Sequence, residues 1–237
     1  NLPLGQFYHI SVDNAIPYRI YGGMQDNGSW VGPSEVWHVG GIRNEDWQEI
    51  LFGDGFDVLP AREDLNTAYA MYQGGGLSRI DLRNGDGTSV QPVPHDTTSL
   101  RFAWNAAIAA DPFDANGVYF GSQFVHHSTD RGNAWAVKSP DLTTNDPEKQ
   151  NQAKSGGLTI DATKAENHCT ILCIAPNPLR EGEIWVGTDD GRIQHTTDGG
   201  ATWTDHAASI KRFPQGAWIP QIHVSPHDAD EVYVVVN

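Results

Sequence analysis

The sequence predicts an all-β fold, a β-propeller of four-stranded blades. Three observations predict it. An apolar pattern returns about every 50 residues. Twenty-five glycines and 14 prolines punctuate the whole chain instead of clustering, as many short strands and turns require. Helical periodicity is scarce: NEDWQEIL (44–51) and DHAASIKRF (205–213) are each read as a turn or two at most.

The repeat is an extended run carrying an aromatic, a small-residue turn, and a second extended run. The leading runs are PYRIYGG (17–23), TAYAMYQGG (67–75), GVYFGSQ (117–123), EIWVGTDDG (183–191) and EVYVVVN (231–237). Aligning Ile20, Tyr69, Tyr119, Trp185 and Tyr233 gives steps of 49, 50, 66 and 48 residues. These runs are expected to be the inner strands that line the channel. A unit of this length with Gly, Asn and Asp turns suits a propeller blade. The long step holds residues 139–168, read as an inserted loop on a binding face, with Glu166 and His168 at its base.

Two copies agree in detail. Ser128, Thr129, Asp130, Gly132 and Trp135 recur as Thr196, Thr197, Asp198, Gly200 and Trp203 at a constant offset of 68. Tyr119 to Trp185 is 66, so the second copy has a hairpin two residues longer. Asn27-Gly28 is a hairpin-turn signal, because both positions tolerate positive φ. DLRNGDGTS (81–89) is read as a blade hairpin and not a calcium loop, since it misses the D-x-[DN]-x-[DN]-G spacing.

Composition narrows the class. Hydrophobic residues make up 38% of the 237; with glycine counted in place of tyrosine, the apolar share falls in the range of about 45–50% found in globular proteins. The formal charge of −15 repels phosphate backbones, so nucleic acid is a poor partner. No apolar stretch approaches the roughly 18 residues of a membrane span. HCTILCIAP reads as a strand, which would hold Cys169 and Cys173 about 13 Å apart and prevent a bridge.

STDRGNAW (128–135) and TTDGGATW (196–203) resemble the Asp-box, Ser/Thr-x-Asp-x-Gly-x-x-Trp, of bacterial neuraminidase repeats; Ala134 stands where Thr is usual in the first. Such boxes occur in sialidases, xyloglucanases and sortilin-like propellers. Segments such as YHISVDNAIPYRIYGGMQDNGSW, RFAWNAAIAADPFD and WVGTDDGRIQHTTDGGATW are similar to large bacterial sortilin-like repeat proteins, often named glycosyl hydrolases. The resemblance implies an extracytoplasmic propeller in which the boxes are structural: the Asp bonds its own turn and the Trp packs between strands. It also implies that the chain, with five repeat starts and both ends inside the pattern, is an arc of a larger ring. Further chain or a partner protein would complete that ring, and residues 1–237 alone would associate or be insoluble. None of the arginines sits in a sialidase motif, so sialidase activity is rejected.

Candidate chemistry is spread over the repeats. Asp26, Asp54, Asp57, Glu166, Asp189 and the adjacent Asp190 are candidates for the facing carboxylates that a glycosidase needs, and turn aspartates that bond backbone are the alternative. Gln25, Asp26, Asn27, Trp104, Asn105, Gln123, Phe124, Glu166, Asn167 and His168 place aromatic faces beside amides and carboxylates, as a sugar or peptide ligand requires. Ties between blades are the competing reading of those amides. His126 and His127 are neighbours on a strand and point to opposite faces, while His127 aligns with His195 as a repeated structural position. No metal-ligand spacing appears and no cofactor is called for. The leading expectation is a non-catalytic module that binds a glycan or peptide; the alternative is an inverting, xyloglucanase-like glycoside hydrolase.

Overall fold

The computed structural model describes residues 5–94, 96–151 and 167–237. These form two compact units, one ending at Gln91 and the other starting at Pro92. In the first unit, β1 (Ile10–Val12), β2 (Arg19–Met24), β3 (Gly28–Pro33) and β4 (Gln48–Leu51) pair in that order as an antiparallel sheet. A second sheet follows, of β5 (Val58–Pro60), β6 (Thr67–Tyr72), β7 (Gly76–Asp81) and β8 (Asp86–Ser89).

In the second unit, β9 (Ile108–Ala110), β10 (Val118–Gly121), β11 (Val125–Ser128) and β12 (Ala136–Val137) form one sheet. β13 (Ile171–Pro176), β14 (Ile184–Thr188), β15 (Ile193–Thr196) and β16 (Thr204–Asp205) form the next, and β17 (Gln221–Val224) pairs with β18 (Val232–Val235). Successive four-stranded antiparallel meanders are propeller blades, and the fold is a β-propeller. The two segments read as short helical turns are single 3₁₀ turns at Asn44–Asp46 and Ala207–Ser209.

The hydrophobic core lies between sheets. In the first unit Tyr21, Val31 and Ile50 of one sheet meet Val58, Ala68 and Ile80 of the next. In the second, Tyr119 and Val125 pack on Ile171, Ile184 and Val186, and Ile193 packs on Ile219 and Ile222. Facing sheets are also joined by one recurring backbone bond. The chain entering a sheet donates an N–H to the second-to-third-strand turn of the sheet before it: Gly55 to Met24 at 3.0 Å, Ile171 to Ser122 at 2.9 Å, and Ile219 to Thr188 at 3.0 Å.

The strand assignment needs one correction. The aromatic-bearing runs are the second strand of each sheet, not the innermost first strand, and EVYVVVN likewise supplies β18 after β17. The first strands were harder to see because β1, β5 and β9 have three residues each, too few to show alternation. The alignment also shifts by one residue in the first copy. Asp13, Ala61, Asp111, Asn177 and Ser225 each donate their N–H to the carbonyl six residues on, two before Tyr21, Tyr69, Tyr119, Trp185 and Tyr233. Tyr21, not Ile20, is therefore the equivalent position.

Two local readings also change. Asn27 donates its N–H to Met24 O at 3.2 Å, and the positive φ values fall on Asp26 (60°) and Gly28 (71°), not on Asn27. The strand through HCTILCIAP begins only at Ile171; Cys169 precedes it with a φ of 61°, and both cysteines are free thiols. Among the described residues no helix is long and apolar enough to cross a membrane.

Candidate functional site

In the first unit, the sequence candidates meet where β2 turns into β3 and where the chain enters β5. Tyr8 donates to Gln25 Oε1 at 2.7 Å, Asn27 Nδ2 donates to the Gln25 carbonyl, and the Asp26 N–H reaches Asp54 Oδ1 at 2.8 Å. Asp57 Oδ1 lies 2.5 Å from His9 Nδ1, and this partner raises the pKa of His9. A Cβ on Gly55 would overlap the Gly28 carbonyl, and one on Gly23 would overlap the backbone of Gly55 and Phe56. These glycines let two stretches of the protein's own backbone touch.

In the second unit the same sheet ends gather most of the remaining candidates. Gln123, in the turn from β10 to β11, is 2% exposed; its Oε1 accepts the Arg101 N–H at 2.8 Å and its Nε2 donates to Ser99 O at 2.9 Å. Asn167 donates to Phe102 O at 3.0 Å. Both amides tie backbone segments together. Trp104 and Asn105 lie half-buried between Ala103 and Ala106 on the approach to β9, and Phe124 sets its ring edge-on to His126. Glu166 and residues 152–166 of the inserted loop lie outside the described residues.

The turn from β14 to β15 carries Asp189 and Asp190. Asp189 is 3% exposed and accepts both the N–H (2.9 Å) and the hydroxyl (2.8 Å) of Thr170. Burial pushes its pKa up to about 7. Burial acts the same way on Asp190, but hydrogen bonds from the Thr188 hydroxyl and from the Thr144 hydroxyl and N–H outweigh it and hold that carboxyl below its ordinary range. Two adjacent carboxylates thus have opposite protonation preferences, set by their surroundings. His168 Nδ1 stands 3.9 Å from Asp189 and 3.6 Å from Cys169 Sγ; burial and then the Lys149 charge lower its pKa.

Beside Asp190 opens a cleft of about 440 Å³, bounded by the β14–β15 turn, Thr144 and residues 205–216. At the opposite ends of these strands lie two stacked pairs that share one plan. His127 stacks on Tyr119 at 4.2 Å and meets Asp111 at 2.9 Å, while His195 stacks on Trp185 at 3.9 Å and meets Glu183 at 3.1 Å. The adjacent His126 points the other way and meets Ser122 Oγ at 2.8 Å.

Each of the two aspartate turns is closed internally. Asp130 Oδ1 accepts the Ser128 hydroxyl and the Ala134 N–H, and the Ser128 hydroxyl oxygen accepts the Gly132 N–H at 2.7 Å. Asp198 accepts the Thr196 hydroxyl, the Thr202 hydroxyl and the Thr202 N–H, and the Gly200 N–H reaches Thr196. Trp135 and Trp203 are partly buried, and the Trp203 indole donates to Lys138 O at 3.1 Å. The Thr202 hydroxyl bond, absent from the first copy where Ala134 stands, comes first among the bonds that lower the Asp198 pKa to about 2. Asp198→Ala should therefore reduce the melting temperature more than Asp130→Ala, by circular dichroism, while leaving any ligand affinity unchanged; equal losses would contradict the role given to Thr202.

Sequence reading missed the turn between first and second strands. There Asp13, Asp111, Asn177 and Ser225 accept backbone N–H groups two residues on. The signal was present: Asp111-Pro112, Asn177-Pro178 and Ser225-Pro226 recur at the same 66- and 48-residue steps.

By sequence, the chain matches no family profile and no curated protein. By structure it is similar to the GH74 xyloglucanase from Xanthomonas campestris, with a TM-score of 0.60, 16% identity and coverage of 92% of this chain and 32% of that one. It is also similar to an ancestral GH74 enzyme, with a TM-score of 0.59, 14% identity and coverage of 100% of this chain and 28% of that one. At such identities the likeness establishes the propeller fold, and the chain spans about a third of the length of these structures.

Proposed function

We propose that this propeller is an extracytoplasmic glycan-binding module of the Asp-box, sortilin-like kind that does not hydrolyse its ligand. One observation carries the reading: four of the described candidate carboxylates, Asp54, Asp57, Asp189 and Asp190, hold groups of their own unit. Asp54 holds the Asp26 N–H and Asp57 holds His9, while Asp189 has both oxygens on Thr170 and Asp190 has both on Thr144 and Thr188. A general acid or base has to reach its substrate, and these oxygens are already engaged. The glycan side of the proposal draws on the likeness to a protein titled a xyloglucanase and on the polar cleft beside Asp190. In this reading the remaining blades come from further chain or a partner protein, and peptide is the competing ligand.

One observation favours a hydrolase instead: Asp189, protonated up to about pH 7, sits next to an ionised Asp190, as an acid and base would. Titration calorimetry with xyloglucan oligosaccharides, run beside a reducing-end assay, separates the readings. Heat of binding without new reducing ends supports the module. Reducing ends that vanish in Asp189→Asn would establish the hydrolase, and binding to a peptide array with no response to saccharides would replace the glycan.

A further inference from the structure

Asn-Gly pairs stand at 27–28, 84–85 and 116–117. Such a pair carries a latent reaction of its own. The glycine nitrogen attacks the asparagine carboxamide carbon, and glycine has no side chain to block the approach. The asparagine Nδ2, with the proton lost by that nitrogen, leaves as ammonia, and the two residues are joined in a five-membered imide. Water then opens the imide at either carbonyl, giving aspartate or isoaspartate. In a folded chain the reaction depends on where the carboxamide points and on what holds the glycine N–H.

At two of the pairs the fold opposes it. The Asn27 carboxamide turns backward, its Nδ2 donating to the Gln25 carbonyl at 2.9 Å. Gly28 is buried and gives its N–H to Gly53 O at 2.8 Å, a bond that joins the β2–β3 turn to the chain approaching β5. The Asn116 carboxamide is held by the Arg131 side chain, whose Nε donates to Oδ1 at 2.7 Å. Gly117 is buried, and its N–H donates to Asp114 O at 2.9 Å.

Asn84 differs in both respects. It lies in the hairpin between β7 and β8, where residues 83–89 are all exposed. Its Oδ1 accepts the Asp86 N–H at 3.0 Å, closing a ring that folds the carboxamide forward along the Gly85 peptide. Its Nδ2 donates to Asp86 Oδ2 at 2.7 Å, so the departing nitrogen rests against a carboxylate able to relay the proton. The Gly85 N–H bonds Asp81 O at 2.8 Å inside the same hairpin, and freeing it disturbs no neighbouring sheet.

We propose that Asn84-Gly85 is a self-modification site, at which the folded chain converts asparagine to aspartate and isoaspartate while Asn27 and Asn116 are spared. The product adds one negative charge, between Asp81 and Asp86, to a chain whose formal charge is already −15. Isoaspartate also routes the main chain through its own Cβ, which lengthens the hairpin and disturbs the pairing of Asp81 with Asp86.

The test is peptide mapping by mass spectrometry of the full 237-residue chain, held at mildly alkaline pH both folded and in guanidinium chloride. Each conversion adds one dalton, and chromatography separates the isoaspartyl peptide from the aspartyl one. In the folded chain Asn84 should convert about tenfold faster than Asn27 or Asn116, where a buried backbone bond has to open first. In denaturant the three rates should converge. Asn84→Gln, whose longer side chain would have to close a six-membered ring, should remove the modification and leave the melting temperature unchanged. Conversion of Asn27 or Asn116 as fast as Asn84 in the folded chain would overturn the proposal, as would an Asn84 that stays intact. The same order of rates in denaturant would overturn it too, because neighbours in sequence and not the fold would then choose the site.

Discussion

Gly55→Ala is expected to destabilise the first unit by about 3 kcal/mol, whereas Gly53→Ala, two residues away, should cost about 1–2 kcal/mol. The two glycines serve different ends. Gly53 adopts a φ of 113° and faces open space, so an added methyl strains one residue and meets nothing. Gly55 has no such φ, but its Cβ would enter the Gly28 carbonyl and crowd Ser29 Oγ. Backbone cannot swing aside as a flexible side chain can. The Gly55 N–H is also the donor to Met24 O, so any shift that relieved the clash would lengthen that bond. Urea unfolding of both variants measures the difference. Equal losses would show that the close approach of the two backbones yields easily.

Asp189→Asn is expected to change how stability depends on pH, by several kcal/mol between pH 4 and pH 7. Asp189 has a folded pKa of about 7 against 3.8 for the free group. The folded chain therefore keeps a proton that the unfolded chain releases, and this contribution is lost as pH rises from about 4 to about 7. Three pKa units correspond to about 4 kcal/mol. His126 acts in the opposite sense. Burial lowers its pKa from 6.5 to about 4, so the unfolded chain takes up a proton first, and stability rises with pH over that window by about 3 kcal/mol.

In the native chain the two slopes oppose one another. His168, also lowered by burial, adds to the slope of His126, whereas His9, raised by Asp57, loses its contribution only above pH 6.5. Removing the Asp189 titration should uncover a steady gain in stability from pH 4 to pH 6.5. Subtracting the native profile isolates Asp189, since the other groups are common to both. Denaturation at four pH values would measure it, and parallel profiles would place the Asp189 pKa near its free value.

What could be read from sequence was whatever short-range chemistry imprints on a few neighbouring residues. The aspartate turns at 128–135 and 196–203 declare themselves because hydroxyl, carboxylate, glycine and tryptophan all act within eight residues. His127 and His195 were legible as one repeated position because register carries them to Tyr119 and Trp185 across a single hairpin. The partners of Gln123, Asp189 and Asp190 were not legible. Gln123 holds residues 22 and 24 positions away, Asp189 holds Thr170 across 19, and Asp190 holds Thr144 across 46. No local pattern encodes those distances.

The recurring bond from each incoming chain to the preceding turn also separates what the architecture holds fixed from what it leaves free. Gly55, Ile171 and Ile219 mark fixed landing points, yet the preceding strands end at Leu51, Val137 and Asp205. The intervening tether is thus short in one case and more than thirty residues in another, with the same landing geometry. Such connections behave as splice sites. Sequence can be lengthened, shortened or exchanged there wherever the change spares the landing N–H and the bonds that Lys138, Thr144 and His206 make to the sheets. An insertion inside Ile174–Pro176 would instead break the register of β13. A protein assembled this way can change its surface one tether at a time while every sheet stays as it was.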